Sequence, residues 1–84
     1  MIIDLGTARA GEAKEFEIEI TDPLVVSYYA TCNCTTVYQM DNKIKGHIVL
    51  ERPGMNKEVG VSISTLTDKN KLKHYNYTIK ISTL

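Results

Sequence analysis

Two cysteines one residue apart, Cys32 and Cys34, are the side chains of this sequence whose type and spacing could do chemistry. A close thiol pair can cycle between dithiol and disulfide, or hold a soft ion such as Cu(I) or half of a zinc site as thiolates. In an extended strand, residues two apart point to the same side with Cα atoms ~6.6 Å apart. That separation is near the upper limit for a disulfide, and parallel side-chain directions oppose the bridge. A mutual disulfide therefore requires a bend at Asn33, and a bond formed that way belongs to the labile, redox-active kind. A closed zinc site needs four ligands, and the other soft ligands are His47, His74 and the methionines. Alternation along each strand places both histidines opposite the apolar row, outside the core. The plainer reading of Cys32 and Cys34 is a pair of small buried hydrophobes or an inert surface pair, because free cysteine is among the most buried residue types. No metal and no cofactor is expected.

The tyrosines form the second group. Five of the six aromatic residues are Tyr28, Tyr29, Tyr38, Tyr75 and Tyr77. Each joins a large apolar body to a polar tip, which suits both a β-core and an interface. Tyr75 and Tyr77 fall on an apolar row and are assigned to the core. Tyr28 and Tyr29 are neighbours in a strand and must face opposite ways, so one of them points outward as the candidate interface anchor. Glu15, Glu17 and Glu19 share one face at strand spacing and read as a solvated surface, not as a catalytic pair. No triad pattern, glycine-rich phosphate loop or calcium loop is present, and the sequence reads as that of a non-enzyme.

These residues must be positioned by strands. Phe16, Ile18 and Ile20 alternate without fault with the three glutamates, the clearest strand of the chain. The glutamates also discourage edge-to-edge pairing there. Met1 to Leu5 suits an edge strand closed by Gly6-Thr7. Asp22-Pro23 interrupts the chain, since proline lacks a donor and restricts its predecessor. Leu24 to Ala30 is a nearly continuous β-branched and aromatic run, which predicts a strand covered on both faces. Val37 to Met40 follows, and Asp41-Asn42 marks a turn. Ile44, Gly46, Ile48 and Leu50 make the next inward row. Arg52-Pro53-Gly54-Met55 is a turn with proline at its second position. Val59, Val61 and Ile63 give another row, and Tyr75, Tyr77, Ile79 and Ile81 the last. About seven strands with turn signals every ~8–12 residues predict an all-β, antiparallel, immunoglobulin-like β-sandwich, with a small barrel as the alternative. Residues 1–84 are expected to form one domain, with no internal repeat and no linker.

Composition narrows the partners. Ten basic and ten acidic residues cancel, and the signs are interspersed. Such a surface lacks the basic stripe that phosphate binding requires, so nucleic acid is not expected. No window approaches the ~18 apolar residues of a membrane-spanning helix. Met1-Ile2-Ile3-Asp4 does not read as a signal peptide, so the expected location is cytoplasmic, or a virion if the chain is phage-encoded. On the same ground Asn33-Cys34-Thr35 and Asn76-Tyr77-Thr78 are not read as glycosylation sites. A chain of 84 residues buries only ~60–65% of the surface it exposes when unfolded, so a partner surface would supplement its core.

Ile3-Asp4-Leu5-Gly6-Thr7, Gly11, Phe16, Pro23-Leu24, Cys32-Asn33-Cys34-Thr35 and Pro53-Gly54, in that order, resemble a bacterial domain-of-unknown-function family with a Cys-Gly-Cys-Thr signature. Its members are immunoglobulin-like sandwiches similar to the ASH and major-sperm-protein domains. Asn33 stands where the family usually has glycine, and asparagine tolerates a positive φ next best. The loop before Leu24 is also shorter than the family's. The resemblance implies a fold and assigns no site residue. Leaderless domains of this kind are typical of phage genomes, where they serve as virion components. The expected function is a structural or interaction module, as a capsid, decoration or tail component that binds other proteins of a larger assembly or copies of itself. The alternative is a small thiol-redox or metal-binding protein acting through Cys32 and Cys34.

Overall fold

A computed structural model describes all residues from Met1 to Leu84. Seven strands make up the chain: β1 (Ile2–Ala8), β2 (Ala13–Glu19), β3 (Leu24–Ala30), β4 (Thr35–Met40), β5 (Lys43–Val49), β6 (Asn56–Leu66) and β7 (Leu72–Thr83). They form a four-stranded sheet, ordered β1-β7-β6-β3, and a three-stranded sheet, ordered β2-β5-β4. All pairings are antiparallel except that of β1 with β7. The division of the second, fourth and fifth strands from the third, sixth and seventh is that of an immunoglobulin-like sandwich. Here the first strand joins the latter group. The long β6–β7 hairpin stretches the molecule to 46 × 19 × 18 Å.

Period-2 patterning decides what lies between the sheets. Phe16, Ile18 and Ile20 pack with Ile44, Ile48 and Leu50 of the smaller sheet against Val59, Val61, Ile63, Ile79 and Ile81 of the larger. The inward rows expected for β2, β5 and β6 are all buried. Apolar area taken from water along these rows is the main favourable contribution to folding. Tyr75 and Tyr77 are half-buried and pack against this core from β7.

Two expectations about the strands are corrected. The first strand does not stop at Gly6-Thr7. It runs on to Ala8, which is buried, because a register shift between Asp4 and Thr7 absorbs Gly6. Gly6 has φ 73°, open to glycine without a Cβ penalty, and its N–H donates to Asp4 Oδ1 at 2.8 Å. β3 is not covered on both faces. It ends the larger sheet, with Leu24, Val26 and Tyr29 more than half exposed. A continuous apolar run cannot by itself tell a central strand from an edge strand with an apolar outer face.

The connections set the sides of the sandwich. The β1–β2 and β3–β4 segments both cross from one sheet to the other. Edges β1 and β2 therefore share one flank, and edges β3 and β4 the opposite flank.

Candidate functional site

The two flanks differ in chemistry. On β2 the outward residues Glu15, Glu17 and Glu19 line the edge, and Glu17 reaches Lys43 at 3.3 Å and Lys45 at 3.5 Å on the neighbouring β5. The Lys43 hydrogen bond, with the charge of both lysines, holds the Glu17 carboxyl below its usual value. β1 carries Asp4 and a bulge. Charges and bulges are the usual means of stopping an edge from pairing with another chain. On the other flank, neither β3 nor β4 contains a charged residue. Of those devices β3 keeps only one register shift, between Val25 and Ser27.

Register defines the outer face beside β3. Leu24 lies opposite Leu66, which lies opposite Leu72, giving an apolar row across three strands. Leu24 and Leu72 are 54% and 57% exposed. Further along come the row Ser27, Ser64 and His74, then the row Tyr29, Ser62 and Asn76. Ser64 Oγ and His74 Nδ1 are 2.8 Å apart, and Ser62 donates to Asn76 Oδ1 at 3.0 Å. Val26 adds a further exposed apolar side chain at the bulge. The choice between the two tyrosines is resolved here. Tyr29 points outward at 60% exposure, while Tyr28 turns inward beside Ile63 and Tyr75.

The cysteines occupy the crossing from β3 to β4, not a strand. Thr35 N–H donates to the Cys32 carbonyl at 3.1 Å and closes a four-residue turn. The Cα atoms of Cys32 and Cys34 are 5.1 Å apart, and the two sulfurs form a disulfide. This corrects the reading in one respect: the pair packs against the core but is bonded, and no cysteine is free. The strand-based spacing failed because the chain bends here. Asn33 makes the bend without a positive φ; the non-glycine residues that adopt one are Asp41 and Asn70. Both ends of the turn are tied down. Thr31 N–H donates to the Gly60 carbonyl, and Gly60 N–H donates back to Thr31 Oγ1, each at 2.9 Å. Val49 N–H donates to the Cys34 carbonyl at 3.1 Å. Both cysteines are half-buried against the core, with Asn33 exposed between them.

His47 lies on the outer side of the three-stranded sheet, opposite Glu15 and Thr36. His74 lies on the outer side of the other sheet, so the two histidines do not meet. No three histidine, cysteine or acidic side chains gather as a metal-binding group.

One cluster escaped the sequence reading. Asp22 Oδ2 accepts from Thr65 Oγ1 at 2.6 Å and from Tyr75 Oη at 2.8 Å, closing the end of the sandwich beside β3. Thr65 is fully buried. The Thr65 hydroxyl first, then the Tyr75 hydroxyl and the Lys73 charge, hold the Asp22 carboxyl below its usual value. Asp22-Pro23 looked like a strand break alone, because its partners lie 43 and 53 residues away.

No protein-family model, no curated protein and no solved structure matches the chain.

Proposed function

We propose that the protein is a non-enzymatic interaction module whose β3 edge takes up an extended segment of another protein in a larger assembly. The observation that carries this reading is the contrast between flanks: the β2 edge bears three glutamates, whereas β3 is open, uncharged and bordered by Leu24, Val26 and Tyr29. A strand added to β3 would be held by main-chain hydrogen bonds to backbone groups without a strand partner. Its outward side chains would lie beside Leu24, Val26 and Tyr29, so an apolar residue at alternate positions is the matching chemistry. Tyr29 serves as the anchor, and Tyr28 holds the strand onto the core from within.

The ordered run from Ile3-Asp4-Leu5-Gly6-Thr7 through Cys32-Asn33-Cys34-Thr35 to Pro53-Gly54 supports kinship with the Cys-Gly-Cys-Thr family of immunoglobulin-like domains. With the balanced charge and small size, it favours a virion component as the kind of assembly. Many copies on a lattice would add avidity to a modest edge contact. Quantitative mass spectrometry of purified particles tests this. The chain is expected at fixed stoichiometry, and Val26→Lys is expected to remove it from the particles. A folded monomer found in no particle, with Val26→Lys behaving as the parent does, would overturn the reading.

A further inference from the structure

We propose that Cys32 and Cys34 form a reversible thiol–disulfide exchange site, an activity separate from strand docking at β3. Three observations lead there. The first is where the bond sits. It joins residues two apart in a turn that the Thr35 N–H to Cys32 carbonyl bond already closes, and whose ends are tied to Gly60 and Val49 by main-chain hydrogen bonds. A link across so short a loop removes little freedom from the unfolded chain, far less than one joining distant strands. Holding the fold together is therefore not what this disulfide contributes most.

The second is the hydrogen bonding of the two sulfurs. Cys34 N–H donates to Cys32 Sγ at 3.1 Å. A backbone donor fixed by the turn favours the negative form of the sulfur it faces, which lowers the proton affinity of a Cys32 thiol and makes its thiolate the better leaving group. Cys34 Sγ has the Thr35 hydroxyl at 3.4 Å, a group that can rotate away. The third is access: both cysteines are only half-buried, and exposed Asn33 lies between them.

These place the roles. The thiolate of a small thiol of the glutathione class attacks Cys34 Sγ, and the S–S bonding pair leaves on Cys32 Sγ, facing the Cys34 N–H. A second thiolate attacks the small-molecule sulfur of the mixed disulfide and releases Cys34. Two thiols become one small-molecule disulfide, the protein disulfide takes up two electrons, and the protons of the two thiols end on Cys32 and Cys34. The reverse sequence oxidises the dithiol with a small-molecule disulfide.

The test uses the full chain equilibrated across ratios of reduced to oxidised glutathione, trapped with an alkylating reagent and weighed intact. The expected result is a reversible change between no alkyl groups and two, with the β-sheet circular dichroism retained throughout. A disulfide that stays closed in excess reduced glutathione, thiols that stay reduced in excess oxidised glutathione, or unfolding on reduction would each overturn the proposal. The single variants test the roles, since both keep the backbone donor. Cys32 in Cys34→Ser is expected to reach half its maximal alkylation rate at a lower pH than Cys34 in Cys32→Ser. Equal midpoints, or the opposite order, would overturn the assignment of Cys32 as leaving group.

Discussion

Phe16 fills the space that Gly46 leaves empty. The two residues are direct cross-strand partners on the inner face, and a Cβ built on Gly46 would overlap the tip of the Phe16 ring and come within 2.7 Å of the Thr36 carbonyl. Glycine stands in the row Ile44, Gly46, Ile48 because an aromatic ring from the neighbouring strand occupies the missing side chain's place.

Gly46→Ala is therefore expected to destabilise the fold by about 1–3 kcal/mol, the usual range for overpacking a filled core. Phe16→Leu in the same chain should recover part of that loss, so the double variant costs less than the two single changes added together. Urea denaturation of the four proteins in the cycle checks this. Strict additivity would mean that the ring does not occupy the glycine's space.

Asp22 predicts the acid limb of stability. Its folded carboxyl titrates below the unfolded value, so the unfolded state takes up the proton first as pH falls. The contribution is complete above the ordinary aspartate value of ~3.9 and is lost as pH drops through the lower folded value. Asp22→Asn should flatten the dependence of the denaturation midpoint on pH in that acid window and leave its shape near neutrality unchanged. An unaltered acid limb would contradict the assignment. Thr65→Val, which removes a donor to the carboxylate, should lower stability by ~1 kcal/mol.

Neighbouring tyrosines on β3 should separate by property. Tyr29→Ala removes an outward ring and is expected to change stability by no more than about 0.5 kcal/mol, while weakening capture by the assembly. Tyr28→Ala opens the inner face and should cost about 1–3 kcal/mol of stability. Thermal melts alongside particle incorporation distinguish the two effects. Equal stability losses at both positions would contradict the inward–outward division.

Replacing Glu15, Glu17 and Glu19 together by threonine should leave Phe16, Ile18 and Ile20 in place and remove the charge that guards β2. Self-association in sedimentation velocity is expected to rise with protein concentration relative to the parent chain. A variant as monomeric as the parent would show that these glutamates do not protect the edge.

The sequence alone determined the strands and most of their inner faces. Alternation is a property of the extended backbone, readable wherever apolar and polar residues take turns, as at Phe16 to Ile20, Ile44 to Leu50 and Val59 to Ile63. Tertiary structure decided what depends on distant partners. Whether Leu24 to Ala30 is central or an edge depends on which strands lie beside it. Pairing of β1 with β7 joins residues more than seventy positions apart. Asp22 acquires its role from Thr65 and Tyr75. Cys32 and Cys34 meet because their segment must cross between sheets, and that crossing bends a stretch that local spacing treats as extended. The pattern along a strand is written in neighbouring residues; the order of strands is set by the contacts that bury the core.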